Sequence, residues 1–254
     1  MSKKTKAKRK KRRKQIMQKR GRQKAARRVP LRDKLQQVYT QISLETTCCR
    51  QGVCCSVACP QMNFSEATQI LDRIWSEWSQ DDKKKLVITS MRYYFSNSMV
   101  KPCPLIAKDE DGTVGCAVYE DRPLNCRLFG QWPAGAYERR VEGFVRATGF
   151  DRCDLPLNCQ CPHVRRKDAE VELTEEVIQG MFAQLDLLDS RIGNFKEEDI
   201  ERRHNYRTIH DWVLLKFLGE DKLTTLTDFL LAADEEEIED YLNQFEMQLA
   251  GVKI

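Results

Sequence analysis

All eleven cysteines of this 254-residue chain lie between residues 48 and 161, and that confinement restricts what the chain can fold into. The opening basic run has no apolar stretch after it, so no secretory leader is expected. No segment offers the ~18 apolar residues of a membrane span. The expected setting is therefore cytoplasmic, where thiols stay reduced and clustered cysteines read as metal ligands or redox centres before they read as bridges. An odd count also leaves one thiol over from any full set of disulfides. Residues 96–163 hold six cysteines and six prolines with little periodic apolar pattern. Such a stretch needs a source of order other than a core, and a bound metal supplies one.

The sulfurs fall into three groups: Cys48, Cys49, Cys54, Cys55 and Cys59; then Cys103, Cys116 and Cys126; then Cys153, Cys159 and Cys161. The expected ligands are Cys48, Cys49, Cys54, Cys55, Cys103, Cys116, Cys126, Cys153, Cys159 and Cys161. Zn²⁺ and a [4Fe–4S] cluster each take four thiolates, commonly from separate stretches of chain. Neighbours in an extended backbone point to opposite faces, so Cys54 and Cys55 are not expected on one ion side by side. Two sites, or one site with spare thiols, follow more naturally. No two cysteines show the C-x2-C knuckle of zinc ribbons, and Cys59, Cys103 and Cys161 each precede proline, as one ferredoxin ligand does. Both features lean towards iron–sulfur while leaving zinc open. His163 is a substitute ligand to consider. Arg122 and Arg127 flank Cys126 and are placed to donate to sulfur or to nearby carboxylates.

Charge divides the chain in another way. Residues 1–28 carry 16 of the 43 Lys and Arg and none of the 38 Asp and Glu, so the remainder has 27 basic against 38 acidic residues. Self-repulsion predicts a disordered tail over residues 1–30, and its polyanion affinity points to RNA, ribosome or DNA. A membrane or protein surface is the alternative partner, and a solvated tail the plain reading.

The expected fold is mainly α. An irregular, cysteine-rich, metal-stabilised core with little β covers residues 31–170, and a C-terminal helical region covers 171–254. Leu31, Leu35, Val38 and Ile42 recur at helical steps. Asn63 and Glu66 suit a capping box ahead of an Ile70, Leu71, Ile74, Trp75, Trp78 stripe. A second helix is expected over Asp81–Phe95, and a hairpin around Asp109–Tyr119 turning at Asp111-Gly112. Four further helices are marked by Val177 to Leu188, by Trp212, Leu215, Phe217 and Leu218, by Leu226, Phe229 and Leu230, and by Ile238 to Leu249. The acidic run 234–240 reads as a solvated face containing a helix start.

The string Cys103-Pro-Leu-Ile … Cys116-Ala-Val-Tyr-Glu-Asp-Arg-Pro-Leu-Asn-Cys126-Arg-Leu-Phe resembles the signature of the YkgJ-type cysteine-cluster family. This is a zinc- or iron-chelating domain related to flagellin lysine N-methylase. Gly52-Val53-Cys54-Cys55 is similar to that family's G-x-C-C, and the resemblance spans roughly residues 45–165. Gln51 stands where the first family motif, C-x2-C-G-x-C-C, has its second cysteine. Cys48 matches the first, Cys49 and Cys59 are extra, and the final family cysteine matches either Cys153 or Cys159. The resemblance implies a metal-binding module, with lysine methylation known from one branch.

Three functions follow as expectations. The first is a metal-binding structural or interaction module brought to its partner by the tail. The second is an enzyme, either lysine N-methylase-related or cluster-dependent and redox-active. The third is a metal or cluster carrier. The chain holds three histidines, so Ser–His or Cys–His nucleophilic chemistry has few options, and His204 and His210 read as structural. There is no Gly-rich strand–turn–helix for S-adenosylmethionine and no C-x3-C-x2-C of a radical enzyme.

Overall fold

A computed structural model describes residues 30–40, 59–96, 102–108, 114–129 and 173–254, with isolated helical positions at Arg139, Glu142 and Arg146. The basic tail, Cys48, Cys49, Cys54, Cys55, Cys153, Cys159, Cys161, His163, Ile42 and the Asp111-Gly112 turn lie outside the described residues. Within them the chain is mainly helical, with four three-residue strands forming two antiparallel pairs.

Helix α1 (Leu31–Tyr39) turns Leu35, Val38 and Tyr39 inward, as the apolar spacing requires. Strand β1 (Gln61–Asn63) leads into α2 (Phe64–Glu77), which buries Ala67, Ile70, Leu71 and Ile74. Trp75 and Trp78 are half-buried against the same core. Helix α3 (Gln80–Phe95) starts one residue ahead of the expected Asp81, because Ser79 Oγ accepts the Asp82 N–H at 3.1 Å and caps it. Strands β2 (Ile106–Lys108) and β3 (Val114–Cys116) flank the Asp111-Gly112 position, as a hairpin there predicts. A 3₁₀ turn (Tyr119–Asp121) and the short α4 (Leu124–Leu128) follow.

The C-terminal part holds α5 (Glu175–Ile192), α6 (Glu197–Glu201), β4 (Tyr206–Thr208), α7 (Ile209–Leu218), α8 (Glu220–Ala232) and α9 (Glu235–Ala250). The acidic run does contain a helix start: Asp234 Oδ1 accepts the Glu237 N–H at 2.9 Å, and Glu237 Oε2 accepts the Asp234 N–H at 3.1 Å. Gly219 joins α7 to α8 at φ +84°, a backbone region that favours glycine.

The two parts of the chain share their cores. Strand β4 pairs with β1, with Gln61 opposite Thr208 and Asn63 opposite Tyr206. Helix α7 lies on α3 and α2, so that Ile209, Trp212 and Val213 join Met62, Ile70, Ile74 and Val87 in one core. The Trp212 indole N–H donates to the Met62 carbonyl at 3.2 Å, pairing the buried polar edge of that ring. A second core joins Leu35 and Val38 of α1 and Leu124 and Leu128 of α4 to Ile178, Met181 and Leu185 of α5. A third joins Met91 and Phe95 to Leu214, Leu223, Leu226 and Leu242.

Leu185 is fully buried where α1, α4 and α5 converge. Leu185→Ala is expected to lower unfolding free energy by about 2–5 kcal/mol, as buried leucine truncations do. Urea unfolding of the two proteins measures it, and the Leu187→Ala control, at a position 51% exposed, is expected to lose far less.

Candidate functional site

The β2–β3 pair places Cys116 at its end and Cys103 just ahead of its first strand. The β2–β3 register sets Ile106 opposite Cys116, the Ile106 N–H donates to the Cys103 carbonyl at 3.3 Å, and the Ala117 N–H donates to the Leu105 carbonyl at 2.9 Å. Cys103 therefore stands at the hairpin entrance, beside the strand that ends in Cys116. Cys103 is buried and Cys116 half-buried, and both pack on the core built from Met62, Ile70 and Trp212, as does the half-buried Cys59. Cys126 is half-buried on α4.

The residues between Cys116 and Cys126 organise the turn that joins them. Asp121, itself buried, accepts Arg73 Nη1 of α2 at 2.7 Å and faces Arg32 Nε of α1 at 3.7 Å. Arg122 Nε donates to the Tyr119 carbonyl at 3.0 Å, with its guanidinium carbon 3.6 Å from the centre of the Tyr119 ring. Arg127 donates to the Arg122 carbonyl at 2.7 Å and to the Glu120 carbonyl at 2.6 Å, and lies 4.3 Å above the Tyr39 ring. Burial holds the Arg127 guanidinium below its ordinary pKa. The two arginines that flank Cys126 thus grip backbone carbonyls around it.

Glu66 is the buried acceptor behind this turn. Its carboxylate takes the Tyr39 hydroxyl at 2.7 Å, the Leu124 N–H at 2.6 Å and the Asn63 N–H at 3.1 Å. The Asn63 bond is the capping contact expected from the sequence. The other two tie α1 and the start of α4 to α2, and Leu124 lies two residues before Cys126. Burial pushes the Glu66 carboxyl from an ordinary 4.5 to about 7, against the lowering effect of its three donors. The Tyr39 hydroxyl is pushed well up by burial first and by Glu66 second.

Asp189 of α5 plays the companion part. Its carboxylate accepts the Ser65 N–H at 2.7 Å, the Phe64 N–H at 3.1 Å, the Asn205 amide at 2.8 Å and the Asn63 amide at 3.0 Å. Two N–H groups of the first turn of α2 that no residue within the helix can accept are satisfied in this way, and the Phe64 N–H is shared with the Asn205 carbonyl at 2.9 Å. Burial raises the Asp189 pKa, and the donating partners oppose the rise.

Thiol donors suit zinc or an iron–sulfur centre in chemical type. The described residues do not assemble three His, Cys, Asp or Glu side chains into a ligating group. Four cysteines are described, Cys59 and the expected ligands Cys103, Cys116 and Cys126, and since they do not assemble as a group, a four-sulfur site needs cysteines outside the described residues. Sequence reasoning identified Glu66 only as a cap and passed over Asp189 and Asn205. The N3 position of Glu66 was the one available signal. His204 is half-exposed, with Nδ1 3.5 Å from Asp199, whereas His210 is buried. Among the described residues no helix is long and apolar enough to cross a membrane. Comparisons with protein-family models, with curated proteins and with solved structures each return no match.

The raised Glu66 pKa sets a pH dependence. Above about pH 4.5 the unfolded chain gives up a proton that the folded protein keeps until about pH 7. The stabilising contribution is thus complete below the lower value and is lost as pH rises through the upper one. Unfolding free energy is expected to fall across this window by at most ~1.4 kcal/mol per pH unit for one group. In Glu66→Gln the slope shrinks to the part that Asp189 contributes. Denaturant titrations between pH 4 and 8 read both slopes, and equal slopes in the two proteins contradict the assignment.

Proposed function

We propose that the chain is a cysteine-ligated metal module, holding zinc or an iron–sulfur cluster, that serves as a structural or interaction unit and reaches a polyanion through residues 1–28. The observation that carries this reading is the hairpin that sets the Cys103 entrance beside Cys116, with Asp121, Arg122 and Arg127 spanning the turn to Cys126. These residues are the ones that resemble the YkgJ-type signature. The residues between these cysteines shape the backbone that presents the sulfurs. The remaining ligands of this reading are Cys48, Cys49, Cys54, Cys55, Cys153, Cys159 and Cys161.

The arm has its own support in charge. Sixteen cationic side chains without one acid form a strong counterion-releasing segment, and RNA, ribosome or DNA is the partner class that suits it.

Oxygen-free purification followed by elemental analysis and a visible spectrum tests the metal. Absorption near ~400 nm is expected for iron–sulfur, which owes its colour to thiolate-bound iron. Colourless protein with stoichiometric zinc identifies the other ion, and compact protein without either removes the reading. Cys116→Ser and Cys126→Ser are each expected to lose metal and to become protease-sensitive, and unchanged metal content in both counts against the ligand assignment. For the arm, recovery of RNA or ribosomes by the full chain is compared with recovery by a chain lacking residues 1–28. Equal recovery excludes that part of the proposal.

A further inference from the structure

His210 occupies a place that a merely space-filling residue does not need. It is 2% exposed on the first turn of α7, with Nδ1 3.3 Å from Ser90 Oγ of α3 and Nε2 3.3 Å from the Pro102 carbonyl. A carbonyl oxygen only accepts, so Nε2 carries the proton. In the neutral ring Nδ1 then accepts the Ser90 hydroxyl. The ring thus joins α3 and α7 to the residue immediately before Cys103. Its other face meets the Tyr93 ring, 4.6 Å between centroids.

The β1–β4 pair explains how a residue so late in the chain reaches this point. Gln61 lies opposite Thr208, so Cys59 is two residues before one partner and His210 two residues after the other. Tyr93 senses both: its ring packs on His210, and its hydroxyl is pushed up by burial first and by nearby Cys59 second. The imidazole therefore contacts the stretch that enters Cys103 directly, and Tyr93 beside it lies within electrostatic reach of Cys59.

We infer that His210 is a positioning residue for the sulfur set, its Nε2–H holding the Pro102 carbonyl and thereby fixing the backbone that presents Cys103. This inference rests on the metal reading above. It assigns a role in cysteine presentation to the C-terminal helices, which themselves carry no cysteine. Outer partners that orient ligands in this way typically change metal affinity by about 10–100-fold when removed.

Glutamine and asparagine separate a positioning role from a packing one. His210→Gln places an amide donor near the former Nε2, His210→Asn places it near Nδ1, and His210→Phe keeps a ring without donors. The full chain is purified without oxygen, and release of its own iron or zinc to a chromophoric chelator is timed. Release about 10-fold or more faster in the Asn and Phe variants, with Gln close to wild type, is the expected pattern. Wild-type release in all three, or Gln as fast as Phe, overturns the inference while leaving the metal reading intact. Should the Phe variant fail to fold, the Gln–Asn contrast decides, and Ser90→Ala, which removes the partner of Nδ1, is expected to give a smaller acceleration.

A second readout does not depend on metal. Exchange of the Ile106 amide, which donates to the Cys103 carbonyl, is measured in the full chain as purified. Faster exchange in Asn and Phe than in Gln supports the hold on this segment, and equal exchange in all variants contradicts it. Wild-type protein that contains neither metal ends the metal reading, and the exchange comparison then judges the His210–Pro102 contact alone.

Discussion

Buried carboxylates gather the structure at one helix start. The first turn of α2 has N–H groups that no earlier residue of the helix can accept, and its dipole places partial positive charge there. Asp189, brought from α5, takes two of those N–H groups and both the Asn63 and Asn205 amides. Glu66, from the same turn, reaches back to Asn63 and outward to Tyr39 and Leu124. Unpaired carboxylates at such depth are costly, and these are surrounded by donors. Once the start of α2 is anchored to α5, strand β1 is held against β4, α7 is set on α3, and the Cys103–Cys126 segment has a fixed surface on which to lie.

This arrangement explains why the described part of the cysteine-rich stretch, residues 102–108 and 114–129, can be ordered from outside itself. Leu105, Val118, Leu124 and Leu128 are its own buried contributions, and each enters a core built mostly from helices elsewhere in the chain. Polar contacts do the rest: Asp121 to Arg73, Leu124 N–H to Glu66, and the Pro102 carbonyl to His210. Asn125 adds another, donating to the Gln61 carbonyl at 2.6 Å and bonding the Tyr206 hydroxyl. Packing and hydrogen bonds thus shape the backbone around Cys103, Cys116 and Cys126.

Much of the secondary structure was legible. Period-3.6 stripes located α1, α2, α3, α5, α8 and α9, because each of these helices has one face buried and one face wet. The hairpin was legible because Asp-Gly between short apolar runs has few alternatives. Trp212, Leu215, Phe217 and Leu218 marked helix α7 but did not single out its inner face: Leu215, Phe217 and Leu218 are half-buried, whereas Ile209, His210, Trp212, Val213 and Leu214 are buried. A helix packed on several sides is apolar around much of its circumference, so periodicity cannot select its inner face.

By itself the sequence determined the helical class, the Asn63–Glu66 cap, the charged arm and the set of thiols from which any metal site must draw, since these depend on residue type and local spacing. Tertiary structure alone decided that late helices would interleave with the early ones. It made Glu66 and Asp189 hubs and delivered His210 to the backbone before Cys103. Those outcomes join residues separated by more than a hundred positions in several cases, and they depend on burial and donor geometry that no local pattern encodes.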